Sequence, residues 1–159
     1  MNISRLLRRE YVRYEAAAGS KKYALDLLSQ SLAQGSQALS AGAILEELVS
    51  RERLGSTGLG ESVAMPHARV DGIEESIGAF LRLGEPVDFE SADGKPVDLL
   101  FGLVMPLACT DDHIRELREL IAHLRDPILQ ERLRQTEEPA ELYALLADSL
   151  TAVYRSLSV

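Results

Sequence analysis

Between Arg51 and Arg69 the chain reads RERLGSTGLGESVAMPHAR, a short stretch that gathers a histidine, arginines, hydroxyls and a glycine-rich turn. An unperturbed imidazole has a pKa of about 6.5, so at neutral pH most of it is neutral and nucleophilic. Such a ring can attack a phosphorus centre and later surrender the group, because a phosphoimidazole is a labile phosphoramidate. His67 is the candidate for that chemistry. Pro66 restricts the backbone just ahead of it and helps aim the ring. Arg51 offers positive charge for an anionic group in transfer.

The turn GSTGLGES, Gly55 to Ser62, has the glycine spacing and final serine of a nucleotide-binding P-loop. Glu61 occupies the position that must be lysine, and the order is reversed, with a helix before the loop and a strand after it. A Walker motif is therefore rejected, and the dinucleotide pattern GxGxxG is absent. The candidate phosphate loop is instead Gly55, Ser56, Thr57 and Gly58. Glycines let the backbone approach another group closely, hydroxyls donate, and turn amides can converge on an anion. Taken alone, the turn reads better as a tight helix-to-strand connection; the company of His67 and Arg51 points to an anion site.

His113 is the second candidate. If Thr110 caps a helix, His113 falls in its first turn, where the helix field attracts anions and disfavours a protonated imidazole. A neutral ring there could donate an N–H to a phosphoryl oxygen or to His67. A helix-start histidine pointing to solvent fits the same pattern. His123 is assigned no role. Two distant histidines without HxxH, HExxH or a cysteine cluster are a weak zinc signal; Asp111 and Asp112 could complete a site but serve equally well in a helix first turn, so no metal and no cofactor is expected.

The elements that must position these residues follow from periodicity. Val12, Tyr14 and Ala16 alternate with polar residues as in a strand. Ser20 caps a helix from Lys21 to about Gln34, with Ala24, Leu25, Leu27, Leu28 and Leu32 on one face and Gly35 as its stop. Ser40 caps a second helix to about Arg53, with Ile44, Leu45, Leu48 and Val49 inward. Strands are expected at Val63–Met65, Ile77–Leu83 and Val97–Met105, the last apolar enough to be covered on both faces and ended by Pro106. Asp93-Gly94 suits a hairpin from a weak segment at Val87–Phe89. Thr110 caps a helix to about Leu124, with Asp111 and Asp112 in its first turn and Ile114, Leu117, Leu120, Ile121 and Leu124 inward. Pro127 and Pro139 open helices over roughly 127–134 and 139–150. The result is an α/β fold: one layered domain over 1–159, a mixed β-sheet with helices on both faces.

Composition narrows the partners. A formal net charge of -8 argues against nucleic acid and anionic membrane surfaces, while a basic protein partner remains compatible. No run approaches the ~20 apolar residues of a membrane span, and the N-terminal MNISRLLRRE lacks a signal-peptide apolar stretch. The single Cys109 cannot form an intramolecular disulfide, which suits a reducing, cytoplasmic setting.

RERLGSTGLGESVAMPHAR, then PVDLLFGLVMP, then DDHIRELRELIAHL together resemble the IIA domains of the bacterial phosphotransferase system of the fructose–mannitol type, and within it the nitrogen-regulatory branch. The likeness runs from GSKKYALDLL to EEPAELYALLAD. It implies a phosphoryl group accepted by His67 at Nε2 from a histidine-containing phosphocarrier protein, with phosphoenolpyruvate as the ultimate source. His113 would match the family's second active-site histidine, and Arg51 its active-site arginine. The implied output is phosphorylation-dependent binding to regulatory targets of the transporter or sensor-kinase type. A sugar-specific component passing phosphate to a IIB domain, and a module that only docks, remain open. Glu61 and Ser62 stand where asparagine and glycine are common in the family, and Ala68 where glycine is common; Glu61 is expected to add negative charge near the site.

Overall fold

The computed structural model describes residues 6–157. A short 3-10 turn, Arg9–Tyr11, leads into strand β1 (Val12–Ala17). Helices α1 (Lys21–Ala33) and α2 (Ala41–Arg53) follow. Then come β2 (Gly58–Gly60), β3 (Val63–Ala64), β4 (His67–Val70), β5 (Ile77–Val87) and β6 (Val97–Pro106). Helices α3 (Asp111–Leu124), α4 (Pro127–Arg134) and α5 (Pro139–Leu157) complete the order.

The strands form one mixed sheet in the order β1-β5-β6-β3-β2, with β4 also paired to β6. β5 and β6 are antiparallel, as are β2 and β3, while β1 is parallel to β5 and both β3 and β4 are parallel to β6. Successive side chains of a strand point to opposite faces. Every residue of β6 from Leu99 to Met105 is buried, so both faces of the sheet are covered there. Helix α1 packs on β5 and β6, α2 on β4, and α5 on β1. On β6, Gly102 accommodates α1: a Cβ would lie 3.2 Å from Leu28 Cδ2.

The helix starts follow their capping residues. Ser20 accepts the Tyr23 N–H and Ser40 the Ala43 N–H, which satisfies amides that no helical carbonyl can reach. Asp126 accepts the Ile128 N–H, and Pro127 takes the first helical position, where its missing N–H costs nothing. The apolar stripes face the core as patterned, with Ile44 and Leu48 at 0% exposure.

Four sequence expectations change. β5 extends to Val87, so Val87–Phe89 is no separate strand; a register shift between Arg82 and Val87 carries β5 to the loop before β6. Pro106 is the last residue of β6, paired with Val70, rather than the first beyond it. Helix α5 runs to Leu157, well past 150. Gly35 ends α1 through space rather than conformation: it has no positive φ, and a Cβ would lie 2.6 Å from Ile77 Cγ2.

The largest difference lies at residues 58–70. The glycine turn contains β2, and the chain after it forms two short strands. Val63 faces Leu99 and His67 faces Leu103, so β3 and β4 keep the same offset along β6. They are one parallel strand interrupted at Met65-Pro66. Proline has no N–H for the ladder, but the Pro66 carbonyl still accepts the Leu103 N–H at 2.9 Å. The interruption therefore costs no register.

The two-residue loop between β2 and β3 is Glu61-Ser62, with φ of 55° and 65°. Positive φ at both positions is the pattern of a type I′ hairpin turn, which favours Asn-Gly. Glu61 and Ser62 hold it by outside bonds. Asp93 Oδ2 accepts the Glu61 N–H at 2.9 Å. Arg134 Nη2 donates to the Glu61 carbonyl at 2.9 Å while the same guanidinium pairs with Asp98. Left-handed backbone costs L-residues roughly 1–2 kcal/mol each, part of which glycine returns as unfolded-state entropy. Replacing Glu61→Asn and Ser62→Gly together should therefore raise stability by about 1 kcal/mol, read as a higher denaturation midpoint at unchanged slope. A lower midpoint would show that the bonds from Asp93 and Arg134 depend on the present side chains.

Candidate functional site

His67 opens β4 and is half-buried. Its Nδ1 lies 2.9 Å from the Met65 carbonyl oxygen. A carbonyl only accepts, so Nδ1 carries the ring proton and Nε2 keeps its lone pair. The bond is local: the Pro66 carbonyl turns to β6 and accepts the Leu103 N–H, so the Met65 carbonyl turns the other way and is available to the ring two residues on. Burial pushes the His67 pKa below the ordinary 6.5; the Met65 bond pushes it up, the Arg51 charge lowers it and the Glu52 charge raises it. Burial is the largest of these effects, so the ring remains a neutral nucleophile through pH 7.

A groove of about 460 Å³ opens beside the ring. From α2 it is lined by Arg51, from β4 by His67 and Arg69, from β6 by Met105, and from α3 by Ile114 and Leu117. Arg51 and His67 are thus brought together by the packing of α2 on β4. Arg51 Nη1 donates to the Gly55 carbonyl at 2.9 Å, which leaves further N–H groups of the guanidinium fork for an anion.

His113 is in the first turn of α3, one residue before Ile114, but its own side chain does not line the groove. Its Nδ1 accepts the Thr110 N–H at 3.0 Å, and Thr110 Oγ1 accepts the His113 N–H at 3.4 Å. This is a capping box with histidine at the third position, where glutamate or glutamine is usual. With Nδ1 accepting, the ring proton belongs on Nε2, which becomes the donor. The two histidines are therefore held in opposite tautomers, His67 with a bare Nε2 and His113 with Nε2–H. His123 lies apart, with its Nε2 bonded to Ser149 Oγ.

The glycine turn is spent on internal bonds. Ser56 Oγ donates to the Phe89 carbonyl at 2.7 Å. Thr57, buried, donates its hydroxyl and its N–H to the Glu52 carboxylate. Gly58 lies against Ser91, where a Cβ would sit 2.9 Å from Ser91 Cβ. Of the four candidate loop residues, Gly55 alone contacts the site directly, through Arg51. Glu61 lies six positions along the chain from His67, roughly 20 Å at ~3.3 Å per strand residue, and pairs with Lys95 at 3.2 Å. Its charge is not at the site.

Sequence reasoning missed Glu52. Its side chain is 5% exposed and pairs with Lys21 Nζ at 2.9 Å. The signal was present: Ile44, Leu48 and Glu52 are spaced by four, so an acid continues the inward face of α2. Among the described residues no group of three or more His, Cys, Asp or Glu could hold a metal ion, and no helix is long and apolar enough to cross a membrane.

The comparisons agree with this architecture. The family model described as "Phosphoenolpyruvate-dependent sugar phosphotransferase system, EIIA 2" matches residues 5–149. A nitrogen regulatory protein of Pseudomonas aeruginosa is 42% identical over 130 residues, covering 82% of this chain and 84% of that protein. The crystal structure of nitrogen regulatory protein IIA-Ntr from Neisseria meningitidis superposes with a TM-score of 0.81 at 37% identity, over 91% of this chain and 97% of that one. The fold also matches a chain in the complex of enzyme IIAMTL and phosphorylated enzyme IIBMTL from Escherichia coli, with a TM-score of 0.69 at 25% identity, over 89% of this chain and 97% of that one.

The protonation state of His67 is directly measurable. By ring NMR, His67 should titrate with a midpoint below 6.5 and carry its neutral-state proton on Nδ1. A folded-state pKa below the unfolded one contributes stability that is present above the unfolded value and lost as pH falls through the window down to the folded value. His67→Ala should therefore flatten the fall in stability below pH 6.5. An Nε2–H tautomer, or a midpoint above the ordinary value, would refute the assignment.

Proposed function

The chain belongs to the phosphoenolpyruvate-dependent sugar phosphotransferase system EIIA 2 family, and from that premise we propose that it is a phosphohistidine carrier and regulator of the nitrogen type. In this reading one domain over residues 1–159 takes a phosphoryl group from a histidine-containing phosphocarrier protein in the cytoplasm. The upstream donor is phosphoenolpyruvate. The carried group then sets which target proteins, transporters or sensor kinases, the surface around His67 binds. The enzyme role is stoichiometric: each chain carries one group rather than turning over substrate in solution.

One observation carries the chemistry. The Met65 carbonyl holds the ring proton on Nδ1, so the lone pair of Nε2 is the nucleophile. In the transfer, Nε2 bonds to the phosphorus of the carrier's phosphohistidine. The donor P–N bond breaks, and its electron pair returns to the donor ring. His67 keeps its Nδ1 proton throughout, so no base is needed, and when the group moves on the ring leaves as neutral imidazole rather than as an anion. Arg51 balances the charge spread over the phosphoryl oxygens, and His113 donates Nε2–H to one of them. Positioning and electrostatic stabilisation are the principal tasks in such transfers.

A second reading is supported by a solved relative, a chain in the complex of enzyme IIAMTL and phosphorylated enzyme IIBMTL. By that likeness this chain would pass its group to a IIB domain instead of signalling. Transfer from the phosphorylated chain to a purified IIB domain distinguishes the two.

Incubation with phosphoenolpyruvate, the first enzyme and the carrier should add one phosphoryl group, seen by intact mass. His67→Ala should abolish uptake while remaining folded; acid-labile phosphate at full level on that variant would remove His67 from the role. Arg51→Ala and His113→Ala should each slow uptake by about 10²-fold, the usual loss for one oriented donor. Rates within twofold of the parent would make them bystanders.

Regulation requires a difference in affinity between two states of one surface. Candidate targets should bind the phosphorylated chain and His67→Ala with different affinities, measured in parallel. Equal affinities for every target would leave a relay with no signalling of its own.

A further inference from the structure

The buried Glu52 side chain forms with the partly exposed Lys21 a charge pair that the transfer chemistry above does not use. The Glu52 carboxylate takes Lys21 Nζ at 2.9 Å and the Thr57 N–H at 3.2 Å, and accepts the Thr57 hydroxyl through its other oxygen. Lys21 also stands 4.6 Å from the centroid of the Phe89 ring and donates to the Phe89 carbonyl at 3.4 Å. The connection continues. The Thr57 carbonyl accepts the Met65 N–H at 3.0 Å, and the Met65 carbonyl accepts the His67 Nδ1–H at 2.9 Å. From the carboxylate to the imidazole, every step is a hydrogen bond joined by the backbone of Thr57 or of Met65.

We infer that Glu52 is a positioning residue for His67: through Thr57 and Met65 it fixes the carbonyl that selects the ring tautomer, and its negative charge supports the positive charge that the ring acquires as Nε2 bonds to phosphorus. The role is that of the carboxylate behind the histidine in a hydrolase triad, which orients the ring and stabilises the imidazolium without taking its proton. Here the carboxylate acts across two backbone links instead of by direct contact. Arg51, adjacent in sequence, works in the opposite sense: its charge favours the phosphoryl oxygens and disfavours a charged ring. The acid therefore offsets, at the ring, what the arginine contributes at the phosphoryl group. Lys21 balances the acid. A lone buried carboxylate would be strongly disfavoured, and a paired one with two further donors is stable. The other charged groups on the groove wall with the ring are Glu47 from α2 and Arg69 from β4; His113, in the first turn of α3, lies outside that lining.

This inference rests on the phosphoryl-acceptor reading for its rate measurement alone. Two variants test it in the full chain: Glu52→Gln, and the pair Lys21→Met with Glu52→Gln, which leaves no unpaired buried charge if the single variant fails to fold. The readouts are the NMR titration of the His67 ring and the single-turnover rate of uptake from the phosphorylated carrier. The ring midpoint should fall by about half a pH unit in each folded variant. Uptake should slow about tenfold, as when a partner that orients a reacting group is lost. A general loosening of the structure would instead let the ring exchange tautomers and bring its midpoint towards the ordinary value. That outcome, or a midpoint within about a tenth of a pH unit of the parent, or uptake within twofold, overturns the inference. The titration needs no phosphoryl donor. A parent chain that takes up no group therefore refutes the proposed function and leaves Glu52 to be judged by the ring midpoint.

Discussion

Residues 63–70 run beside β6 in a single parallel register, and the candidate site depends on that register being interrupted without being shifted. The Pro66 carbonyl faces β6, where it accepts the Leu103 N–H, so the Met65 carbonyl, one residue earlier in the strand, faces away from β6. Pro66 cannot donate there, so the ladder lacks one N–H at this residue while the Pro66 carbonyl keeps its bond to Leu103. The outward-facing Met65 carbonyl is left for the His67 ring, and the Pro66 bond holds the backbone just before the ring against Leu103. A side chain with two torsions is thereby fixed at both ends, by its strand and by its Nδ1 bond. Everything else around the groove is arranged relative to this edge.

The second organising feature is electrostatic. Helix α2 ends in RER, and its three residues face three ways. Arg51 lines the groove, Glu52 turns into the protein and Arg53 is exposed. One helical turn thus delivers opposite charges to opposite sides of the same region. The glycine turn that follows does not behave as an anion cradle made of hydroxyls. It is a strap whose hydroxyls tie α2 to the loop before β6, with Gly58 allowing contact with Ser91 and the Gly55 carbonyl steadying Arg51. Its glycines serve close approach, and its anion-directed contribution is the arginine it holds.

At the start of α3, whose Ile114 and Leu117 line the groove, His113 is held in the complementary tautomer. A glutamate at the third helical position could cap Thr110 equally well. Histidine caps and still has a proton to give on the far side of its ring. The same local bonds that start the helix therefore set the donor and acceptor sense of the ring, as the Met65 bond does for His67. In both cases the backbone, which mutation barely alters, decides which ring nitrogen is which.

Much of this was legible without coordinates. Ser20, Ser40, Thr110, Pro127 and Pro139 mark helix starts by capping chemistry that acts over three or four residues, and apolar periodicity sets the inward faces and the doubly covered β6. The family likeness is carried by the run around His67 together with PVDLLFGLVMP and DDHIRELRELIAHL. What the sequence alone could not decide depends on contacts between segments far apart in the chain. It did not show that 63–70 is one strand broken at a proline, because that is visible only against β6. Nor did it show that Glu61 is turned away from the site and held by Asp93, Lys95 and Arg134. It placed Ser56 and Thr57 as donors to a ligand, because nothing local reveals Phe89 and Glu52 as their partners. Glu52 was not singled out at all, although it continues the inward face of α2. Its partner Lys21 begins another helix, and a charge can be buried only where packing brings its counter-charge to it.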